Sequence, residues 1–186
     1  MSVTEVFRRI TAALHDAGIA YMLSGSFASA YHGAPRSTQD IDLVIEATAA
    51  QLETFVKNLP RETYYAELDA ALDALRRQSL FNVIDLATGW KIDFIIRKSR
   101  AFSLEEFGRR QRVDVQGLSI FVAGAEDMVI AKLEWAKLAS SQRQIEDVSA
   151  ILRLRWASLD RSYLEKWIEE LGLAQEWNAA QRGAGK

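Results

Sequence analysis

The chain has 186 residues, 49% hydrophobic and 26% charged, with a formal net charge of -2. That is the balance of a soluble globular protein with a sizeable core, and it offers no overall attraction to nucleic acid, so RNA binding would need a local basic patch. There are no cysteines, which excludes disulfides, Cys-ligated zinc and thiol nucleophiles, and the two histidines, His15 and His32, are too few for a His-rich metal site.

The first residues, MSVTEVFRRI, read as the start of an amphipathic helix rather than a signal peptide. With the lack of cysteine, this sets the expectation of a cytoplasmic protein. Val3, Val6, Phe7, Ile10, Ala13, Leu14 and Ala17 keep helical spacing as far as Gly18. A charge-free stretch from Ala17 to Pro35 has about the length of a membrane span. It is broken by Gly18, Ser24, Gly25, Ser26, Ser29, His32 and Gly33, so no membrane partner is expected.

Ala20 to Leu23 predicts a short strand, and Ser26 to His32 a short helix beginning at the Gly25-Ser26 turn. A strand over Asp40–Glu46 and a helix from the Thr48 cap to about Leu59 follow, then a helix over Tyr64 to Gln78 with Leu68, Ala71, Leu72 and Leu75 on one face. In FNVIDLATGWKIDFII, two β-rich runs, Leu80 to Leu86 and Trp90 to Ile96, flank Ala87-Thr88-Gly89 as a hairpin. A short helix near Ser103 to Arg110 and strands at Val113 to Val115 and Leu118 to Val122 come next. From Ala123 the pattern is helical, over roughly 125–139, 142–156 and 159–171. The fold class is therefore α/β (α+β): a mixed sheet flanked by helices over 1–122, a helical C-terminal subdomain over 123–182, and a disordered Gly-containing tail over 183–186.

Alternate strand residues share a face, so Asp40 and Asp42 point one way while Ile41, Leu43 and Ile45 point into the core. Like charges on one face repel unless a cation sits between them, and magnesium is the natural one because it takes hard oxygen ligands and bridges carboxylates to phosphates. The alternative is a solvated strand face. Ahead of this strand, the turn at Gly25-Ser26 opens a helix whose N-terminus offers backbone N–H groups to a phosphate, with Ser24 and Ser26 adding hydroxyls; a plain N-cap is the simpler alternative. Arg36, Ser37 and Thr38 lead into the DxD strand and can add phosphate contacts. Asp93 lies inside an apolar run where a lone charge is expensive to bury, which makes sense if it joins Asp40 and Asp42. Asp85 is the rival, read as a turn or exposed residue. Trp90, Trp135 and Trp156 read as core or subdomain-contact residues. Arg76-Arg77, Arg97-Lys98-Arg100 and Arg109-Arg110-x-Arg112 are basic runs, solvated or receiving an RNA acceptor.

Gly25-Ser26, then Arg36, Thr38 and Asp40-x-Asp42, then Asp93 in a later strand, resembles the nucleotidyltransferase superfamily related to DNA polymerase β. The string SGSFASAYHG..RSTQDIDLVI is similar to minimal nucleotidyltransferases and AbiE-type toxin nucleotidyltransferases, although many members have Gly-Gly where this chain has Gly25-Ser26. AEDMVIAKLEWAK and SQRQIEDVSAIL resemble AbiE-like helices carrying a Lys and a later Asp, here Lys132 and Asp147. The likeness covers roughly residues 20–152.

This resemblance implies a magnesium-dependent transfer with two ions in the active complex. An acceptor hydroxyl attacks the α-phosphorus of ATP or another nucleoside triphosphate, and pyrophosphate leaves. It implies Asp40, Asp42 and Asp93 as catalytic metal ligands, and Gly25, Ser26, Arg36, Thr38 and Lys132 as nucleotide-binding residues; the alternatives are a surface charge at Arg36 and a solvated lysine on an amphipathic helix at Lys132. Asp147 would be an outlying carboxylate behind the site, or else the ion-pair partner of Arg143 one turn earlier. A tRNA or protein acceptor and a cognate antitoxin are the partners the AbiE-like branch implies. The other readings are an aminoglycoside-type enzyme, and a non-catalytic nucleotide- or partner-binding protein on the same fold.

Overall fold

The computed structural model describes residues 2–186. By contact the chain divides into two units, Met1–Gly25 with Thr38–Val122, and Ser26–Ser37 with Ala123–Lys186.

The first unit is built on a seven-stranded sheet of order β3 (Tyr64–Ala66), β4 (Leu80–Asp85), β5 (Lys91–Ile96), β2 (Asp40–Glu46), β1 (Ala20–Leu23), β7 (Leu118–Val122) and β6 (Gln111–Val115). Its helix α1 (Val3–Asp16) starts at the Ser2 cap and buries Val6, Phe7, Ile10 and Leu14. Strand β1 (Ala20–Leu23) runs antiparallel to β2 (Asp40–Glu46) and parallel to β7 (Leu118–Val122). Strand β2 is also parallel to β5 (Lys91–Ile96), with Asp40 opposite Lys91 and Asp42 opposite Asp93. The even-odd pattern sets both faces of this pair. Ile41, Leu43, Ile45, Ile92, Phe94 and Ile96 are buried on one side. There Phe94 stacks on Phe81 at 5.1 Å and meets Phe55 edge-on at 5.2 Å. The opposite face carries Asp40, Asp42, Lys91 and Asp93. Helix α3 (Ala49–Asn58) opens with a reciprocal capping box between Thr48 and Gln51. Helix α5 (Ala101–Gly108) follows β5, and β6 (Gln111–Val115) closes the sheet against β7.

One expected element divides. Residues 64–78 are not a single helix: Tyr64–Ala66 form edge strand β3 beside β4 (Leu80–Asp85), and only Leu68–Arg77 form a helix, α4. The apolar helical face begins at Leu68, while Tyr64 and Tyr65 favour a pleated strand. Asp85 takes part in a turn as expected but is not exposed. It is fully buried, accepts the N–H groups of Ala87 (3.0 Å) and Thr88 (3.1 Å), and pairs with Arg9.

The second unit is helical: α2 (Gly25–His32, from Ser26 onward), α6 (Ala125–Ala139), α7 (Gln142–Arg155), α8 (Arg161–Glu170) and α9 (Ala174–Ala184). Met128, Val129, Leu133, Val148, Ile151, Leu152, Leu164 and Trp167 are buried. Two residues of the expected tail, Gly183 and Ala184, instead belong to α9, which runs to Ala184. Ser149 Oγ donates to the Ala180 carbonyl at 2.9 Å, and Arg153 reaches the Gly183 carbonyl at 2.7 Å. A Cβ at Gly183 would lie 2.5 Å from Ser149 Oγ, so this glycine marks close packing rather than looseness. Trp135, expected in the core or at a subdomain contact, is not a core residue, being 58% exposed on α6. No helix among the described residues is long and apolar enough to cross a membrane.

Candidate active site

The sheet unit brings three expected carboxylates onto one face of two neighbouring strands, about 4.8 Å apart in any parallel pair. Asp42 and Asp93 are register partners on β2 and β5. Asp93 is only 13% exposed at its side chain, whereas Asp40 is 50% exposed. The burial of Asp93 is offset by two partners that the sequence reading missed. Asn82, opposite it on β4, donates its amide to Oδ1, and Lys91 places Nζ 3.1 Å from Oδ2. Lys91 Nζ also lies 3.4 Å from Asp40 Oδ1. Hydrogen bonding to Asp93 raises the Lys91 pKa above its ordinary value, with the attraction of both carboxylates helping and partial burial opposing. A signal for Lys91 was present: it stands two residues before Asp93 and so shares its face.

The turn after β1 is fitted to Asp42. The Ser24 N–H donates to the Asp42 carbonyl at 2.9 Å, which continues the β1/β2 ladder by one step. Gly25 then adopts φ +58°, and a Cβ there would stand 1.9 Å from Asp42 Oδ2. Only glycine leaves room for that carboxylate and takes the left-handed backbone without strain. From Gly25 the chain enters α2, with Ser26 buried in its first turn. At the other end of the connection, Thr38 Oγ1 accepts the Asp40 N–H at 3.2 Å, which sets the start of β2. The sequence reading gave Thr38 a phosphate contact; its hydroxyl is here engaged with the DxD backbone.

In the helical unit, Arg36, Lys132 and Asp147 come together. Lys132 is not a solvated lysine: its side chain is 5% exposed, with Nζ 2.7 Å from Asp147 Oδ2 and 3.0 Å from Gln144 Oε1. Arg36 Nε lies 3.3 Å from the same Asp147 oxygen. Asp147 therefore pairs with Lys132 and Arg36 rather than with Arg143, and the trio carries one net positive charge in a low-dielectric setting. Gln144 is the member that sequence reasoning missed. His32, at the end of α2, is buried and directs Nε2 to the Ala123 carbonyl at 2.7 Å. Since a carbonyl only accepts, Nε2 bears the proton and Nδ1 is the bare nitrogen. Desolvation lowers the His32 pKa, aided by Arg155 and opposed by the Ala123 contact and Glu126.

The basic runs are largely engaged. Arg76 and Arg77 pair with Asp73, Arg97 pairs with Glu46, and Arg110 lies over Phe107 and Phe121. A cavity of about 280 Å³ opens at the carboxyl ends of β2 and β5, away from the aspartates. Its polar lining is committed internally: Arg97 to Glu46, Gln78 to Ser99, and Gln51 to Thr48 and Gly18.

Among the described residues, no three carboxylate or imidazole side chains stand ready-grouped around a metal position. The chemistry of the aspartate face nevertheless suits a hard divalent cation. Its donors are carboxylate oxygens, Gly25 keeps space clear at Asp42, and an ammonium already bridges two of the carboxylates.

The architecture, a mixed sheet flanked by helices and followed by a helical C-terminal part, is the fold of the solved nucleotidyltransferase structures that follow. No protein-family model and no curated protein sequence matches the chain. The solution structure of the antibiotic-resistance factor ANT(2'')-Ia is similar in fold, with TM-score 0.56 and 16% identity over 98% of this chain and 97% of that one. An antigenic nucleotidyltransferase-like protein from Paracoccidioides brasiliensis is similar with TM-score 0.52 and 13% identity, covering 91% and 90%. ANT(2")-Ia in complex with adenylyl-2"-tobramycin gives TM-score 0.50 and 15% identity, covering 97% and 96%.

Proposed function

We propose that this protein is a magnesium-dependent nucleotidyltransferase that moves a nucleoside monophosphate from a nucleoside triphosphate to an acceptor hydroxyl. The observation that carries this reading is the aspartate face, with Asp42 opposite Asp93 on adjacent parallel strands and Asp42 seated against the Gly25 turn. Asp40, Asp42 and Asp93 would hold the magnesium, which when bound neutralises triphosphate charge and makes an acceptor hydroxyl easier to deprotonate. Asp93, held in place by Asn82, accepts the proton of the attacking hydroxyl at its carboxylate. The new bond forms between the acceptor oxygen and the α-phosphorus, the bond from that phosphorus to the bridging oxygen breaks, and pyrophosphate carries away the electron pair. Gly25 and Ser26 present backbone N–H groups to the phosphates at the head of α2. Arg36 and Lys132, which pair with Asp147 within the helical unit, are carried as nucleotide-binding candidates by the motif likeness alone.

For the acceptor, a tRNA or protein hydroxyl is proposed first, as in a toxin with a cognate antitoxin. The motif likeness of the Lys132 and Asp147 helices supports it. An aminoglycoside acceptor is the second reading, favoured by the nearly full-length fold likeness to ANT(2'')-Ia. Incubation with labelled nucleoside triphosphates, magnesium, and bulk tRNA, bulk protein or an aminoglycoside in parallel tests both. Pyrophosphate release with label on one acceptor class is the expected result. No magnesium-dependent release with any acceptor would favour a non-catalytic binding protein.

A further inference from the structure

We propose that Lys91 is the resident counter-ion of the aspartate face, and that its ammonium must leave Asp40 and Asp93 before a divalent cation binds there. This rests on the metal-dependent reading above and adds a residue that sets metal affinity. Nζ lies 3.4 Å from Asp40 Oδ1 and 3.1 Å from Asp93 Oδ2, so one monovalent cation spans two strands. The second oxygen of Asp93 is already taken by Asn82, which leaves Oδ2 as the atom for which lysine and metal compete.

The face holds three carboxylates. Without a cation they would repel across the β2/β5 register. Lysine is suited to relieve this temporarily: it is a point charge on a flexible stem and imposes no rigid geometry. Magnesium, by contrast, demands oxygen ligands at about 2.0–2.1 Å in octahedral array. Both cations cannot use the same oxygens at once. Lys91 is 41% exposed at its side chain, so it has solvent to swing into without crossing packed core. The face is therefore kept neutralised in part while metal-free, and the metal binds more weakly than it would to bare aspartates.

The test is calorimetric titration of Mn²⁺, without nucleotide and at fixed pH, into full-length wild type, Lys91→Met, Lys91→Gln and Lys91→Arg. Two part-exposed ion pairs together are expected to weaken metal binding about tenfold. Lys91→Met and Lys91→Gln should bind Mn²⁺ about that much more tightly than wild type, and show a larger metal-induced rise in melting temperature. Lys91→Arg, which retains the charge, should stay near wild type. Adding Asp42→Asn to Lys91→Met should weaken the binding again. Equal or weaker Mn²⁺ affinity in both neutral variants overturns the role of Lys91 while leaving the metal site standing. A tight site that ignores Asp42→Asn also overturns it, because that metal would sit elsewhere. Failure of wild type and every variant to bind Mn²⁺ at millimolar concentration overturns the metal-dependent reading itself. Two neutral variants are used so that one misfolded protein does not decide the result.

Discussion

Asp42 is the residue on which charge and space meet. It shares a face with two other carboxylates and lies where a Gly25 side chain would be. Asp42→Asn removes a ligand and a source of repulsion together. The metal-free variant should melt at or above the wild-type temperature, while nucleotide transfer falls below detection; an unchanged transfer rate would reject the metal-ligand assignment. Gly25→Ala acts from the other side. It costs about 1–2 kcal/mol for the left-handed backbone and must also push the carboxylate away. Loss of about 2 kcal/mol or more by urea denaturation, with loss of transfer, is expected. The aspartates themselves were legible in the sequence, because strand alternation and the cost of burying Asp93 are local arguments. Asn82 was not. Its partnership with Asp93 depends on β4 lying beside β5 in one particular register, which the hairpin suggested but did not fix.

At the scale of elements, the legible parts were those with long periodic patterns. Helix α6 and the β2 strand have the bounds expected of them, whereas three-residue β3 is too short to show a period. The Lys132–Asp147 pair was hidden for a different reason. Residues on two helices meet through tertiary packing, and the local rule of one-turn spacing pointed to Arg143 instead. Because the pair is buried, Lys132→Met should cost about 3 kcal/mol in stability, Asp147 keeping Arg36 as its partner, and the double variant Lys132→Met/Asp147→Asn should lose less than the sum of the two single variants; additive losses in urea denaturation would contradict this coupling. Any nucleotide-affinity change in Lys132 variants must therefore be read beside their melting curves. His32 gives the helical unit a pH dependence. Its pKa is lowered in the fold from 6.5, so the unfolded chain binds a proton first as pH falls. The sign follows: His32 costs nothing above about pH 6.5, and stability drops below it until the folded histidine also protonates. His32→Gln should melt with a shallower dependence on pH between about 7.5 and 5.5, and parallel curves would show that the imidazole contributes no such cost.

At the scale of the whole molecule, connectivity constrains what can fold alone. The helical unit takes Ser26–Ser37 from between β1 and β2, two strands that are neighbours in the sheet. Cutting the chain after Val122, where a sequence reader would separate two domains, leaves α2 attached to the sheet fragment but removes its partners within the helical unit. His32 loses the Ala123 carbonyl, Gly33 loses the Leu154 side chain packed over it, and Arg36 loses Asp147. The segment also buries Ala28, Ser29 and Ala34. An eight-residue helix has little stability of its own in water, so α2 is expected to unravel and unsettle the β1/β2 connection on which the Gly25 turn depends. A fragment of residues 1–122 should therefore bind a hydrophobic dye and lack a sharp thermal transition, while the full chain melts cooperatively. Covalent linkage alone cannot restore this, but residues 123–186 supplied as a separate peptide should do so in part. A 1–122 fragment that melts sharply within a few degrees of the full protein would show that α2 needs none of the helices it packs against.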